Sequence, residues 1–351
     1  MAKISIDKSI VSWYNIHNYR FIKSHPNIIN YRNYVLRGGK LNKNIFQRGW
    51  VVLILALLCT ALWGSATPFI KLGYQHLEVD TTHIPSIFVF AGVRFFFAGL
   101  LTIVIYSIAR KRVLYPRREN IAKVSLVSLF QTVLQYVLFY IGLANTSGVK
   151  GTICSATNTF FAILVASIIF RQEKLTLKKV LAMVIGFMGV VVVNLNGLEL
   201  GFNIGDACVI LSALMYGVSN VLIKKYSADE DPVVISGYQF LMGGAFMTIL
   251  GLVLGGEISL VSIEGAGIML YLSALSAIAY SVWGVLLKYN HVSKVTIYCF
   301  MIPVFGVVLS MLMLTESSGV DLVNMLIALL LICIGVLILN LSPKSRQIDK
   351  T

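Results

Sequence analysis

The sequence is short of charge. Asp, Glu, Lys and Arg make up only 13% of its 351 residues, while 57% are hydrophobic. Soluble domains carry about 25% charged residues. A soluble chain of this length could not hide so much apolar surface in one core, because much of any folded surface faces solvent. Lipid must therefore be part of its solvent. Acids are the scarcest charged class, fifteen Asp and Glu against twenty-nine Lys and Arg. All fifteen fall between apolar runs, at run ends or in the tails, as do His17, His25, His76, His83 and His291. A proton relay through the membrane needs an ionisable group inside the bundle, so coupling through a midplane carboxylate is not expected. Facilitated export, exchange, or coupling through the substrate's own titration fits better. There is no GxxxxGK[ST] loop for ATP-driven pumping and no HExxH or paired-carboxylate site. Cys59, Cys154, Cys208, Cys299 and Cys333 form no CxxC and no Cys/His pair at zinc spacing. They read as small buried hydrophobes. Neither enzymatic activity nor a metal or other cofactor is expected.

What the sequence has is long apolar runs. About 20 apolar residues cross a ~30 Å hydrocarbon core as a helix. Such runs lie near 50–74, 84–108, 121–143, 151–170, 177–194, 204–223, 233–254, 267–287, 294–314 and 322–341. Backbone facing lipid must satisfy its own hydrogen bonds, which predicts helices; the short alternating segments of a membrane barrel are absent. The expected fold is an all-α membrane protein of ten transmembrane helices.

The net charge of +14 would suggest nucleic acid on a soluble chain. Here its distribution gives topology instead, and no nucleic-acid partner is expected. Arg110, Lys111, Arg112, Arg117, Arg118 and Lys123 fill one loop region. Arg171, Lys174, Lys178 and Lys179 follow in a second, Lys224 and Lys225 in a third, Lys288 and Lys294 in a fourth. The intervening loops carry Glu78 and Asp80, Glu199, Glu257 and Glu264, then Glu316 and Asp321. The positive-inside rule then puts both termini in the cytoplasm of a multi-pass protein of the cell (plasma or inner) membrane. Lys150 is the exception, on the outer side. Residues 1–49 form a basic tail with Asp7 as its only acid; no secretory h-region precedes the first span, and the tail reads as a disordered cytoplasmic segment or an overextended reading frame, with a transit peptide or a lipid-surface arm as the alternatives. Residues 342–351 form a second cytoplasmic tail.

The two halves, 50–194 and 204–341, resemble each other in order. Trp63-Gly64 through Lys71 parallels Tyr216-Gly217 through Lys224. Gly92-Val93-Arg94-Phe95 with Gly99 parallels Gly237-Tyr238-Gln239-Phe240 with Gly244. The segments ending at Glu173 and Glu316 correspond, as do Gly189–Asn194 and Gly335–Asn340. Five spans per half is odd, so the second half enters from the opposite side. Inverted repeats of this kind build a site at their interface, which rocking exposes to each side in turn.

Several segments carry a family resemblance: Ala61-Leu62-Trp63-Gly64-Ser65, Val93-Arg94-Phe95, Gly142-Leu143 through Thr146-Ser147, Pro303-Val304-Phe305 through Glu316, and Gly335-Val336-Leu337-Ile338. Over about 50–341 the chain resembles EamA-type carriers of the drug/metabolite transporter superfamily. It departs from the family at Asn158-Thr159-Phe160, where a proline is common, and at Lys150. The resemblance implies two inverted five-helix repeats and transport of small metabolites such as amino acids. Relatives that carry nucleotide sugars or phosphate esters make antiport of such anions the alternative. A non-transporting membrane scaffold and a membrane-embedded enzyme are the other classes; the second lacks acid/base or metal clusters.

Arg94 is the sharpest candidate for contact with a small-molecule substrate. It is the charged residue lying well inside a span, where a charge costs at least ~2.5 kcal/mol and faces a cavity or partner. Its planar fork suits a carboxylate or phosphate, while a structural Arg bonded to backbone carbonyls is the plain alternative. Aromatic and amide residues deep in spans follow: Trp63, Tyr136, Asn158, Tyr216, Asn220, Gln239, Tyr280 and Trp283, with Gln131, Gln135 and Tyr140 beside them. A metabolite cavity needs apolar walls with a few placed polar groups; interhelical hydrogen bonds and packing are the alternatives.

Overall fold

The computed structural model describes residues 45–146, 148–195, 201–259, 262–313 and 322–340. The expected N-terminal tail up to residue 44, the C-terminal tail and Glu316 lie outside them. Apolar side chains continuous enough to satisfy lipid, and a backbone that must bond to itself, give helices; the described residues include no strand. Helices α1 (Gly49–His76) and α2 (Ile84–Ala109) are each continuous. Helix α3 (Arg118–Ala144) contains a π-helical stretch over Leu129–Leu134. Helix α4 (Lys150–Ile169) breaks at Thr157 and ends in a second π-helical stretch, Val165–Ile169. Helices α5 (Leu177–Val193), α6 (Ile204–Tyr226), α7 (Pro232–Val253) and α8 (Ile263–Tyr289) follow. Helix α9 runs through Val292–Thr296, a 3-10 turn at Ile297–Phe300, and Met301–Met313. Helix α10 is Leu322–Asn340.

Nine of these segments have the length and apolarity to cross a bilayer. The tenth, α5, has 17 residues, or about 25 Å at 1.5 Å per residue, which is the short end of the spanning range. The ten expected spans are present, with ends moved by a few residues; α8 begins at Ile263 rather than 267. Trp50 is 59% exposed at the start of α1, where an aromatic ring suits a membrane interface.

The packing repeats itself when the halves are exchanged. Helix α2 packs on α7, and α5 on α10. Helix α1 packs on α8 as α6 packs on α3, and α1 on α9 as α6 on α4. Every one of these pairs maps onto itself or its counterpart under α1–α5 ↔ α6–α10, which is a two-fold relation between inverted repeats.

Glycine makes the central crossing possible. A Cβ on Gly244 would lie 2.3 Å from the Phe96 nitrogen and 2.8 Å from the Gly92 carbonyl. One on Gly99 would lie 2.6 Å from the Gly237 carbonyl. The Gly92–Gly244 and Gly99–Gly237 contacts exchange under the repeat, so α2 and α7 meet backbone to backbone. Gly255, by contrast, has open space around it. It sits just past α7 at φ +85°, a helix-ending role.

At the face bearing the basic loops, the α2–α3 loop is fastened to the α6–α7 loop. Tyr106 Oη donates to Asp231 at 2.7 Å, Asn120 Nδ2 to Glu230 at 3.1 Å, and the Arg117 amide to Glu230 at 2.9 Å. Lys123 pairs with Asp229 at 2.8 Å and holds its carboxyl below the usual range.

Candidate functional site

Arg94 is the eleventh residue of α2, about 15 Å from its start at 1.5 Å per residue. It is 4% exposed. Its guanidinium carbon lies 4.4 Å from the centre of the Phe95 ring, a cation–π contact. Among the described residues it has no carboxylate within salt-bridge distance, and its buried Nε has no hydrogen-bond partner. A backbone-bonded structural arginine would have shown carbonyl acceptors. The hydroxyls of Tyr74, Tyr136, Tyr140 and Tyr280 lie within its electrostatic reach.

Beside Arg94 the two-fold brings equivalent rings together. Phe95 stacks on its counterpart Phe240, centroids 5.1 Å apart and planes 3° from parallel. Tyr136 and Tyr280 face each other with hydroxyls 2.8 Å apart. Trp63 meets Tyr216 edge-on at 6.4 Å. Phe95–Tyr136 at 4.4 Å and Phe240–Tyr280 at 4.8 Å link the pairs, and Trp63 packs on Tyr280 at 5.0 Å and Trp283 at 4.9 Å. The result is one continuous aromatic cluster with Arg94 against it.

Backbone irregularity surrounds the cluster. Pro68 in α1 lacks the N–H that would bond the Gly64 carbonyl, and Gly64 sits against Phe305 and Gly306 of α9. The π-helical stretch of α3 carries Gln131 and Thr132 and ends just before Gln135 and Tyr136. Such bulges gather at functional sites because they re-aim side chains. The α4 break and the α9 3-10 turn lie in equivalent helices, as expected where discontinuous helices line a midplane site.

The other amides divide. Asn220 is fully committed: Oδ1 accepts from Trp283 Nε1 at 2.8 Å, and Nδ2 donates to the Tyr216 carbonyl at 2.9 Å. It holds Trp283 against Trp63. Gln239, the counterpart of Arg94, accepts from Thr132 Oγ1 and leaves Nε2 buried without a partner among the described residues. Trp63 Nε1, Gln131 Nε2 and Gln135 Oε1 are likewise buried and unpaired. Four of these five orphans, counting Arg94 Nε, are donors. Unpaired buried polar atoms are costly, so this donor excess suits a ligand rich in acceptor oxygens. Asn158 stands apart: it begins the second part of α4 and accepts from Thr159 Oγ1 at 3.1 Å. Phe95, Phe240 and Thr132 were not singled out from sequence. Phe95 and Phe240 immediately follow Arg94 and Gln239 in the repeat, which was the available signal.

The buried carboxylates lie away from this centre. Asp206 is 1% exposed in the first turn of α6, where it forms a capping box with Asn203. It accepts from Thr146 and pairs with Lys150 Nζ at 2.7 Å. Lys150, read from sequence as an outer-loop charge, is thus a buried helical residue. Glu173 accepts from the Ser293 amide at 3.0 Å and Oγ at 2.8 Å, and pairs with Lys179 at 3.2 Å. Lys224 Nζ donates to the carbonyls of Leu287 and Asn290.

This architecture has known counterparts. The model of the EamA-like transporter family matches residues 50–195 and again 203–341. The chain belongs to the EamA-like transporter family. Two Bacillus subtilis (strain 168) relatives of this EamA-like protein are the uncharacterized transporters YoaV and YvbV. The first is 22% identical over 85% of this chain and 99% of its own length, the second 28% over 84% and 93%. An uncharacterized transporter of Archaeoglobus fulgidus is 25% identical over 77% of this chain and 91% of its own. A solved crystal structure shares the fold of this EamA-like transporter at a TM-score of 0.66, covering 83% of this chain and 96% of that one at 16% identity.

Proposed function

We propose that this EamA-like transporter is a secondary carrier that exports or exchanges small anionic or zwitterionic metabolites, amino acids among them. Substrate binds between Arg94 and the Trp63–Tyr136–Tyr216–Tyr280 cluster. The observation that carries this reading is a buried guanidinium with no acidic partner among the described residues, set against equivalent aromatic pairs where the two repeats cross. An arginine fork recognises a carboxylate with two parallel hydrogen bonds, and the rings offer an apolar wall for the remainder. Rocking of one repeat against the other exposes the site alternately. The termini face the cytoplasm and the protein resides in the plasma or inner membrane, following the basic-loop asymmetry. No catalysis is assigned to the chain. Phosphate-ester antiport is less favoured, because a doubly charged head calls for several basic groups. Lys150 is engaged by Asp206 and Lys224 by backbone carbonyls.

The test is efflux from liposomes loaded with a pooled metabolite panel, read by mass spectrometry, with empty liposomes as control. Wild type should release one chemical class selectively. Arg94→Ala should abolish that release while remaining monodisperse. Release by Arg94→Ala equal to wild type would remove Arg94 from the site.

A further inference from the structure

A second site lies at the basic face, on the outside of the bundle. A groove of about 540 Å³ runs between the start of α3 and α7, lined by Tyr115, Pro116, Arg118, Ile121, Val124, Tyr238 and Met242. Its lining is apolar except for the two tyrosine hydroxyls and one charge. Val124 forms a buried floor, while Met242 and Ile121 are 36% and 46% exposed. Beyond Met242, Phe246, Ile249 and Val253 are exposed at helical spacing and continue the apolar track along α7.

The groove is held rigidly. Tyr238 Oη donates to the Leu114 carbonyl at 3.0 Å, and the Leu114 amide donates to Ser107 Oγ at 3.1 Å. Asn120, just beyond Arg118, is tied to Glu230. Arg118, like Lys111 and Arg112, differs from Arg110, Arg117 and Lys123 in pairing, and of the three unpaired side chains it is the one that lines the groove. Arg110 is engaged by Tyr106 and Asp231, Arg117 by Glu119, and Lys123 by Asp229. The Arg118 side chain has no acidic or hydrogen-bond partner among the described residues and is exposed at the groove's edge.

A bare arginine at the mouth of an apolar groove, at the level where the span meets the basic loops, is complementary to one kind of molecule: an amphiphile with an anionic head. We propose that this groove is a binding site for an anionic phospholipid of the surrounding bilayer, its phosphate on Arg118 and one acyl chain along Ile121, Val124 and Met242. Basic pockets between membrane helices recognise anionic heads in this way. The apolar lining argues against a soluble phosphate, which would leave most of the groove unfilled.

The experiment uses the full chain in mixed micelles containing equal phosphatidylglycerol and phosphatidylcholine, with bound lipid quantified by native mass spectrometry. Wild type should retain phosphatidylglycerol in preference. Arg118→Gln should reduce that preference about fivefold, the ratio equivalent to the ~1 kcal/mol of one basic residue near an anionic surface. Ile121→Trp, which fills the groove without changing charge, should also reduce phosphatidylglycerol retention. Lys178→Gln removes an exposed charge at the start of α5, away from the groove, and should change nothing. Equal retention of both lipids by wild type would overturn the proposal. So would an equal loss in Lys178→Gln and Arg118→Gln, which would mean diffuse attraction, or full displacement by millimolar glycerol phosphate, which would mean a headgroup site alone.

Discussion

At the level of single residues, this EamA-like transporter handles its charges in two ways. Lys150 and Asp206 neutralise each other in a buried pair with Thr146 and Asn203 attached. Removing one partner of such a pair strands the other and costs about 3–5 kcal/mol, whereas removing both is much milder. Lys150→Met should therefore lower the thermal midpoint in detergent by several degrees, and Lys150→Met with Asp206→Asn should recover most of it. A double variant as unstable as the single one would show that the pair itself is not the source. Arg94 is handled differently, since its orphaned Nε is kept beside the rings. Its candidacy was legible because it is the one charge among the 26 residues of α2. The Lys150–Asp206 pair was not legible. Each residue reads as an ordinary span-end charge, and only the packing of α4 and α6 brings them together.

At the level of helices, length and hydropathy were read directly from sequence because lipid imposes them. The interruptions were not. The π-helical stretches in α3 and α4 leave no composition signal, since Gln131 and Thr132 are unremarkable within an apolar run. The glycines of the α2–α7 crossing were visible as repeat-related positions, but their close approach had to be seen. Here the substitution test is direct. Gly244→Ala places a methyl group against the Phe96 backbone, and such overpacking costs about 1–3 kcal/mol. It should reduce monodisperse yield and thermal midpoint. Gly267→Ala, with nothing within 4 Å, should leave both unchanged or raise stability slightly through helix propensity. Equal behaviour of the two would refute backbone-to-backbone contact at the crossing.

For the whole molecule, the inverted repeat was readable in the order of weak matches, and the packing pairs follow it. The placement of that fold relative to cytoplasm rests on charge asymmetry. In a background lacking Cys59, Cys154, Cys208, Cys299 and Cys333, single cysteines at the exposed positions Thr82 and Ala228 should react with an impermeant maleimide from opposite sides of sealed vesicles. The cysteine at 228 should be the cytoplasmic one, beside Lys224 and Lys225. Labelling of both from one side would break the ten-span arrangement.

The two-fold is close in backbone and broken in charge. Arg94 occupies the place that Gln239 holds in the other half, while Phe95 and Phe240 remain matched. If the proposed function holds, a molecule whose head is clasped by Arg94 would keep a fixed polarity through the cycle, because the opposite half has no equal clasp to hand it to. It would not tumble as the repeats rock. One mouth would meet the cargo head-first and the other tail-first, so the two openings would differ in selectivity although a single set of residues serves both.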